Sequence, residues 1–239
     1  MKTTDESGEA GFTLVELTVT VAIIGIVVVS FFGLFVALVN STIIAKRKAV
    51  AITLATNQME YLKSLPYDAL AVQGGSIYAT SLLPATKVQT INGVQYTATT
   101  SISYVDDAYD GCGSYPNTTL KQLYCRNYPA PSGAPATDTN AADYKIAHVS
   151  VTDRGGNELA VVDTQISARV SETASTTGAL FVTVNNSSGA AVSGATVSVV
   201  NSTITPNANV SDSTDSNGVA IFYGLPPDSG TDYIITATK

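Results

Sequence analysis

Between Phe12 and Ala45 the chain carries a single ionisable side chain, Glu16. From Leu17 to Val39 it is apolar apart from Thr18, Thr20 and Ser30, with glycines at Gly25 and Gly33. A bilayer core needs about 20 apolar residues in a helix, so this run is long enough to span. It is too long for the apolar region of an ordinary secretory signal, and no small-residue cleavage site follows it. The eleven residues before Phe12 are polar, with Lys2, Asp5, Glu6 and Glu9 and no apolar run. One carboxylate in an otherwise apolar span is expensive, and by default marks function.

After Asn40 the apolar residues recur at helical spacing. Ala45, Ala49, Ile52, Ala55, Met59 and Leu62 form one stripe, with Lys46, Lys48, Asn57, Glu60 and Lys63 elsewhere. Nothing between residues 40 and 45 forces a break, and Pro66 supplies a stop. The pattern therefore predicts one helix over residues 12–65, about 80 Å long at about 1.5 Å per residue. Residues 12–39 are its membrane-spanning part and 40–65 its amphipathic part.

Beyond residue 86 the period becomes two. Lys87–Ile91 and Val94–Val105 flank Asn92-Gly93, a pair suited to the positive φ values of a type I′ hairpin. Tyr144–Thr152 alternates, with Ala147, Val149 and Val151 on one face and His148 on the other. A strand from Glu158 to about Val170 follows the Asp153–Asn157 turn. These strands predict an antiparallel meander over residues 66–170 whose apolar face the helical stripe covers. Between the hairpins, residues 106–143 are irregular and hold both cysteines, Cys112 and Cys125. In an exported chain the pair reads as a disulfide; in a cytosolic one it reads as two thiols. Residues 171–178 (SETASTTG) read as a linker. Residues 179–239 hold four further strand-like runs separated by turn sequences. The expected fold class is α+β: a long N-terminal helix on an antiparallel meander head, then a small all-β sandwich.

Asp and Glu number 19 against 12 Lys and Arg, a net charge of −7. This balance argues against a nucleic-acid partner, which needs clustered cations. The one basic cluster, Lys46-Arg47-Lys48, follows the span. By charge alone it would hold the C-terminal part in the cytoplasm. The cysteine pair and the Ser/Thr-rich β units favour export instead.

The string Gly11-Phe12-Thr13-Leu14-Val15-Glu16-Leu17 before an unbroken apolar run resembles the class III signal of type IV prepilins and type II secretion pseudopilins. The resemblance implies a leader over residues 1–11, cut by a membrane prepilin peptidase between Gly11 and Phe12. It further implies methylation of the Phe12 amine and a role for Glu16 in filament assembly, with other pilin subunits as partners through the helix. Where the family often carries a proline in the second half of the span, this chain has Gly33, and its leader is acidic rather than basic. The implied location is a single-pass membrane protein before assembly and an extracellular filament afterwards.

Two softer resemblances follow. Tyr104-Val105-Asp106-Asp107, Asp110-Gly111 and Asp143-Tyr144-Lys145 resemble the head of the PilV-like minor pseudopilins. Ser193–Val197, Thr214–Gly218 and Gly224-Leu225-Pro226 resemble a carboxypeptidase regulatory-like, transthyretin-type sandwich. A bulky extra domain suits a minor subunit, with a displayed adhesin or a secretion or DNA-uptake pseudopilin as alternatives. No enzyme chemistry is expected. His148 is the only histidine, no glycine-rich phosphate loop is present, and no cofactor is implied. Asp106, Asp107 and Asp110 with Gly111 form a candidate calcium loop, but Ala108 stands at the third position of the EF-hand pattern and Asn117 at its twelfth.

Overall fold

The computed structural model describes residues 11, 13–113, 115, 117–135, 138, 140, 142–168, 176–230 and 232–239. Its contacts divide the chain into residues 1–49 and residues 50–239.

Helix α1 runs Leu14–Ser64 without interruption, 51 residues. Every residue from Thr13 to Ala49 is exposed. Those in the apolar run include Ile26, Phe31, Phe32 and Phe35, each more than half exposed. Such a surface is stable only out of water, in lipid or against other apolar helices. The polar side chains within the run satisfy themselves locally. Thr18 Oγ1 donates to Val15 O, Thr20 Oγ1 to Glu16 O and Ser30 Oγ to Ile26 O, which removes the cost of placing hydroxyls in hydrocarbon.

In the second unit the last turns of α1 cover a sheet. The face they bury is Ala51, Ala55, Met59 and Leu62, with Val50 and Leu54 half-buried. This corrects the expected stripe: Ala45, Ala49 and Ile52 are exposed, Ile52 by 53%. Ala55, Met59 and Leu62 keep their place, but the face extends back through Ala51, about 100° round the helix from Ile52. Two alanines let the helix approach the strands closely where a β-branched side chain would hold it off. A 3-10 turn, Tyr67–Ala69, follows Pro66.

The head sheet has the order β1-β2-β4-β5, all antiparallel: β1 Thr86–Ile91, β2 Val94–Asp107, β4 Tyr144–Asp153 and β5 Glu158–Ser167. Asn92 and Gly93 have φ of 51° and 76°, the left-handed pair that a two-residue hairpin requires. Between β2 and β4 lie helix α2 (Thr118–Tyr124) and the two-residue strand β3 (Cys125–Arg126), parallel to β2. Ala147, Val149 and Val151 of β4 are fully buried and meet Tyr96, Ala98 and Ile102 of β2 beneath α1. Burial of Met59 and Leu62 there contributes roughly 1.5–3 kcal/mol each.

The C-terminal strands form two small sheets. One has the order β10-β7-β8 (Ile234–Thr238, Thr196–Asn201, Ala208–Ser213); the other pairs β6 (Gly178–Thr183) with β9 (Val219–Leu225). Val197, Val199, Val210, Ala220, Phe222 and Leu225 fill the space between them. Strand β8 is additional to the four runs expected from sequence. Its sequence, ANVSDS, has one large apolar residue, Val210, which pairs with Val199. Strand β6 starts at Gly178, inside the expected linker; residues 171–175 lie outside the described residues, as do 169 and 170 of the expected strand end.

The two β units keep separate cores but touch extensively. Tyr78 Oη donates to Pro206 O at 2.8 Å, Ser211 Oγ to Gly74 O at 2.8 Å, and Tyr124 Oη to Asp215 Oδ2 at 2.7 Å. Tyr115 and Tyr223 share a hydroxyl hydrogen bond of 2.9 Å, and Tyr115 packs edge-on against Phe181. The sequence, which marks residues 171–178 as a linker, does not announce this seam, because Tyr78, Tyr115, Tyr124 and Tyr223 are single residues in four separate segments.

Candidate functional site

The N-terminal motif starts α1. Thr13 stands just before the first helical residue, and its Oγ1 accepts the backbone N–H of Glu16 at 3.2 Å. Its carbonyl accepts Leu17 N–H at 3.1 Å, the first helical bond. Thr-x-x-Glu at a helix start is a capping-box sequence, and a Thr cap is worth about 1 kcal/mol. Glu16 also lies in the first turn, where the helix dipole favours negative charge. Its carboxylate is exposed and has no partner among the described residues, unlike the hydroxyls of Thr18, Thr20 and Ser30. Gly11 precedes the cap outside the helix, and a Cβ placed on it would meet nothing within 4 Å. Phe12 lies outside the described residues.

In the head, Cys112 and Cys125 form a disulfide. It ties the segment after β2 to β3, and with Ala108 and Tyr115 forms a small apolar cluster on which Phe181 packs. Beside it lies Asp106, 1% exposed. Its Oδ2 accepts Gly113 N–H at 3.1 Å. Burial outweighs the hydrogen bonding to its carboxylate and pushes Asp106 up to about 6 from 3.8. Lys145 of β4, opposite Tyr104, is also 1% exposed. Its Nζ donates to Tyr67 O at 2.8 Å and Leu70 O at 3.0 Å, and lies 4.5 Å and 5.0 Å from the ring centres of Tyr67 and Tyr104. Carbonyl oxygens and aromatic faces hold an ammonium in place, yet burial still lowers its pKa to about 8 from 10.5. Lys145 thereby pins the connection after α1 onto β4.

These two groups set an unusual pH dependence. Between 3.8 and about 6 the folded head holds a proton on Asp106 that the unfolded chain has lost, so stability falls as pH rises. Between about 8 and 10.5 the unfolded chain holds a proton on Lys145 that the folded head has lost, so stability rises with pH. Above about 10 the trend reverses again, because buried Tyr104 and Tyr223, pushed up to about 12, must stay neutral. Each of the first two effects is at most about 3 kcal/mol. We expect urea unfolding to show a shallow stability minimum near neutral pH, lower than at pH 5 and pH 9. Asp106→Asn should flatten the acid arm and Lys145→Met the alkaline arm; a maximum at pH 7 in the unaltered protein would contradict both assignments.

The candidate calcium set is corrected by the alternation of β2. Asp106 turns inward, while Asp107 turns out to accept Asn127 Nδ2 at 2.9 Å and the Tyr144 hydroxyl. Asp110 gathers instead with Asp138 and Asp143, the three carboxylates within 4.8 Å of one another. Asp143 is committed to the backbone N–H of Asp107. The three residues Asp106, Asp107 and Asp110 therefore do not converge on one point. His148 lies on the outer face of the sheet, its Nδ1 2.6 Å from Asp163 Oδ1 of the neighbouring strand. Asp215 accepts the N–H groups of Asn217 and Val219 and closes a turn.

Comparison with known families gives one match: residues 7–32, containing Gly11, Phe12 and Glu16, fit the prokaryotic N-terminal methylation motif. No curated protein and no solved structure matches the chain. With that motif at the head of a 51-residue helix whose N-terminal half is apolar and exposed, the chain has the N-terminal organisation of a type IV pilin-like subunit.

Proposed function

We propose that this protein is a minor type IV pilin or pseudopilin, a structural subunit rather than an enzyme. It is made as a prepilin and held in the membrane by residues 12–39. Prepilin peptidase cuts it between Gly11 and Phe12 and the new amine is methylated. The mature subunit then passes into an extracellular filament built through its N-terminal helix. The observation that carries this reading is Glu16: a carboxylate without a partner among the described residues, at the start of an exposed apolar helix and inside the matched motif. In a filament the Phe12 amine of a neighbouring subunit would pair with it. Only one axial stagger pairs the two charges, so the pair would set register.

The C-terminal two-sheet unit supports the minor assignment, because such a bulk would have to fit at every repeat of a major subunit. Its sandwich arrangement is also what a carboxypeptidase regulatory-like domain would show. The disulfide and the Ser/Thr-rich β units support an exported head. Display of a binding surface by the C-terminal unit is the alternative role; membership of a secretion or DNA-uptake pseudopilus would use the same helix. With a net charge of −7, direct contact with nucleic acid is not expected.

N-terminal sequencing and mass spectrometry of membrane and filament fractions test the processing. The mature chain should begin at Phe12 and carry one methyl group on its amine. A mature protein that begins at Met1 overturns the proposal. Gly11→Ala should slow cleavage less than Gly11→Val. The chain's own fold leaves room at Gly11, so any limit on size comes from the peptidase.

A further inference from the structure

Asp106 lies near the end of β2 with its side chain enclosed, and no Lys, Arg or His among the described residues forms an ion pair with it. A carboxylate is costly to bury in that way, and its contacts show what it serves. Its two oxygens reach the two arms of the Cys112–Cys125 bridge. Oδ2 accepts the N–H of Gly113, the residue after Cys112, at 3.1 Å, and Oδ1 lies 3.3 Å from Cys125 Sγ. The carboxylate is within 4.8 Å of both sulfurs. We propose that Asp106 is the base that closes this disulfide, taking the thiol proton of Cys125 as that sulfur attacks an oxidant-linked Cys112.

The backbone places these groups without help from the bridge. Asp106 and Cys125 are register partners in the parallel pair of β2 and β3, and Ala108 N–H donates to Arg126 O at 2.8 Å. The Asn117 side chain caps α2 at Leu120 N–H, and the Cys125 N–H closes the same helix on Lys121 O. In the reduced head Cys125 therefore presents its thiol to Oδ1. The other polar neighbour of that sulfur, Gly111 O at 3.8 Å, is an amide carbonyl too weakly basic to take a proton. Both sulfurs are buried, each 3% exposed, so the proton is passed within the fold rather than to bulk water.

The oxidant is itself a disulfide, of an exported oxidoreductase or of a small thiol. It first exchanges with Cys112 while that arm is open, leaving one of its sulfurs bonded to Cys112 and releasing the other as a thiol. Cys125 Sγ then attacks Cys112 Sγ. The Cys125 proton passes to Asp106 Oδ1, the bond between Cys112 and the oxidant breaks, and its electron pair leaves with the oxidant sulfur as thiolate. The two cysteines lose two electrons and the oxidant disulfide gains them. Burial pushes Asp106 up to about 6, so it is ionised at neutral pH yet more basic than an ordinary carboxylate. Tyr115 and Tyr223 also act on it, but burial pushes both upward and keeps them neutral; Asp138 and Asp110 act on it by repulsion. The step completes the head and does not depend on filament assembly.

The test uses the full chain in detergent, reduced and then mixed with oxidised glutathione. Mass spectrometry of acid-quenched samples separates open, glutathione-linked and closed forms, and peptide mapping assigns the link to one of the two cysteines. The unaltered chain should close with little linked form. Asp106→Asn should accumulate glutathione on Cys112 and close at least about tenfold more slowly at neutral pH, a modest share of what a positioned base supplies. In the unaltered chain the closing rate should rise through an inflection near pH 6, and Asp106→Asn should lose it. A role in packing alone would change stability without that inflection. Circular dichroism of the reduced chains checks folding, and the inflection in the unaltered chain needs no variant. A slowing of less than tenfold overturns the proposal. So does faster closure in Asp106→Asn, which a carboxylate that only repels the thiolate would give. Accumulation of glutathione on Cys125, or a profile of the unaltered chain without the inflection, overturns it as well.

Discussion

Glu16→Val should insert into the membrane at least as well as the unaltered chain, be cleaved normally, and yet almost disappear from sheared filaments. Insertion improves because an acidic side chain within a span costs up to about 3 kcal/mol on insertion scales. The helix start survives because its cap comes from Thr13 and the bond is made by the Glu16 backbone, not its side chain. Assembly suffers because the Phe12 amine of the neighbouring subunit is left charged in an apolar core. Removing one partner of a buried ion pair typically costs 3–5 kcal/mol, which lowers incorporation by a factor of about one hundred or more. Immunoblots of membrane and filament fractions measure this. Glu16→Gln should fail nearly as badly, since it keeps the shape and loses the charge. Equal recovery of the valine and unaltered proteins in filaments would remove the register argument.

Deletion of residues 176–239 should leave a head that folds but whose disulfide segment is loosened. The head core of Ala51, Ala55, Met59, Leu62, Val149 and Val151 contains no residue of the C-terminal unit, so the sheet and the end of α1 persist. The cluster around Cys112 and Cys125 does lose a partner, Phe181, whose ring packs 5.3 Å from that of Tyr115. It also loses the Tyr115–Tyr223 and Tyr124–Asp215 hydrogen bonds. A lost edge-to-face pair and two hydrogen bonds sum to roughly 2–4 kcal/mol. The truncated protein should keep the amide exchange protection of β2 and β4, while the Cys112–Cys125 bond becomes reducible at much lower dithiothreitol concentration. Cleavage at Gly11 should continue. Global unfolding of the truncated head would show that the two β units form one cooperative core. An unchanged resistance to reduction would show that the seam contributes nothing to the disulfide segment.

Much of the N-terminal site could be read before any fold was known. Gly11, Phe12 and Glu16 stand out because a polar leader, a seven-residue string and an apolar run are contiguous, so local sequence alone carries the signal. The disulfide pairing was also legible once export was assumed, since only two cysteines exist. The seam between the two β units was not legible. Tyr78, Tyr115, Tyr124 and Tyr223 come from four separate segments and acquire meaning only where they meet Pro206, Asp215 and one another. Asp106 looked like one of three calcium ligands because it sits next to Asp107; the pleat of β2 sends the two side chains to opposite sides.

The sequence by itself determined the long helix, the Asn92-Gly93 hairpin and the buried face of β4. In each, a period of 3.6 or 2, or the φ demand of two residues, acts over a few neighbours and admits one solution. Tertiary structure alone decided which face of α1 meets the sheet. The expected stripe and the observed face share Ala55, Met59 and Leu62; ahead of them the periodicity allows Ile52 or Ala51, and it is the smaller Ala51 that is buried in the core with β2 and β4. It also decided the burial of Lys145. A lysine beside Tyr144 on a strand would ordinarily face water, and it turns inward here because the carbonyls of Tyr67 and Leu70, distant in sequence, are there to receive it.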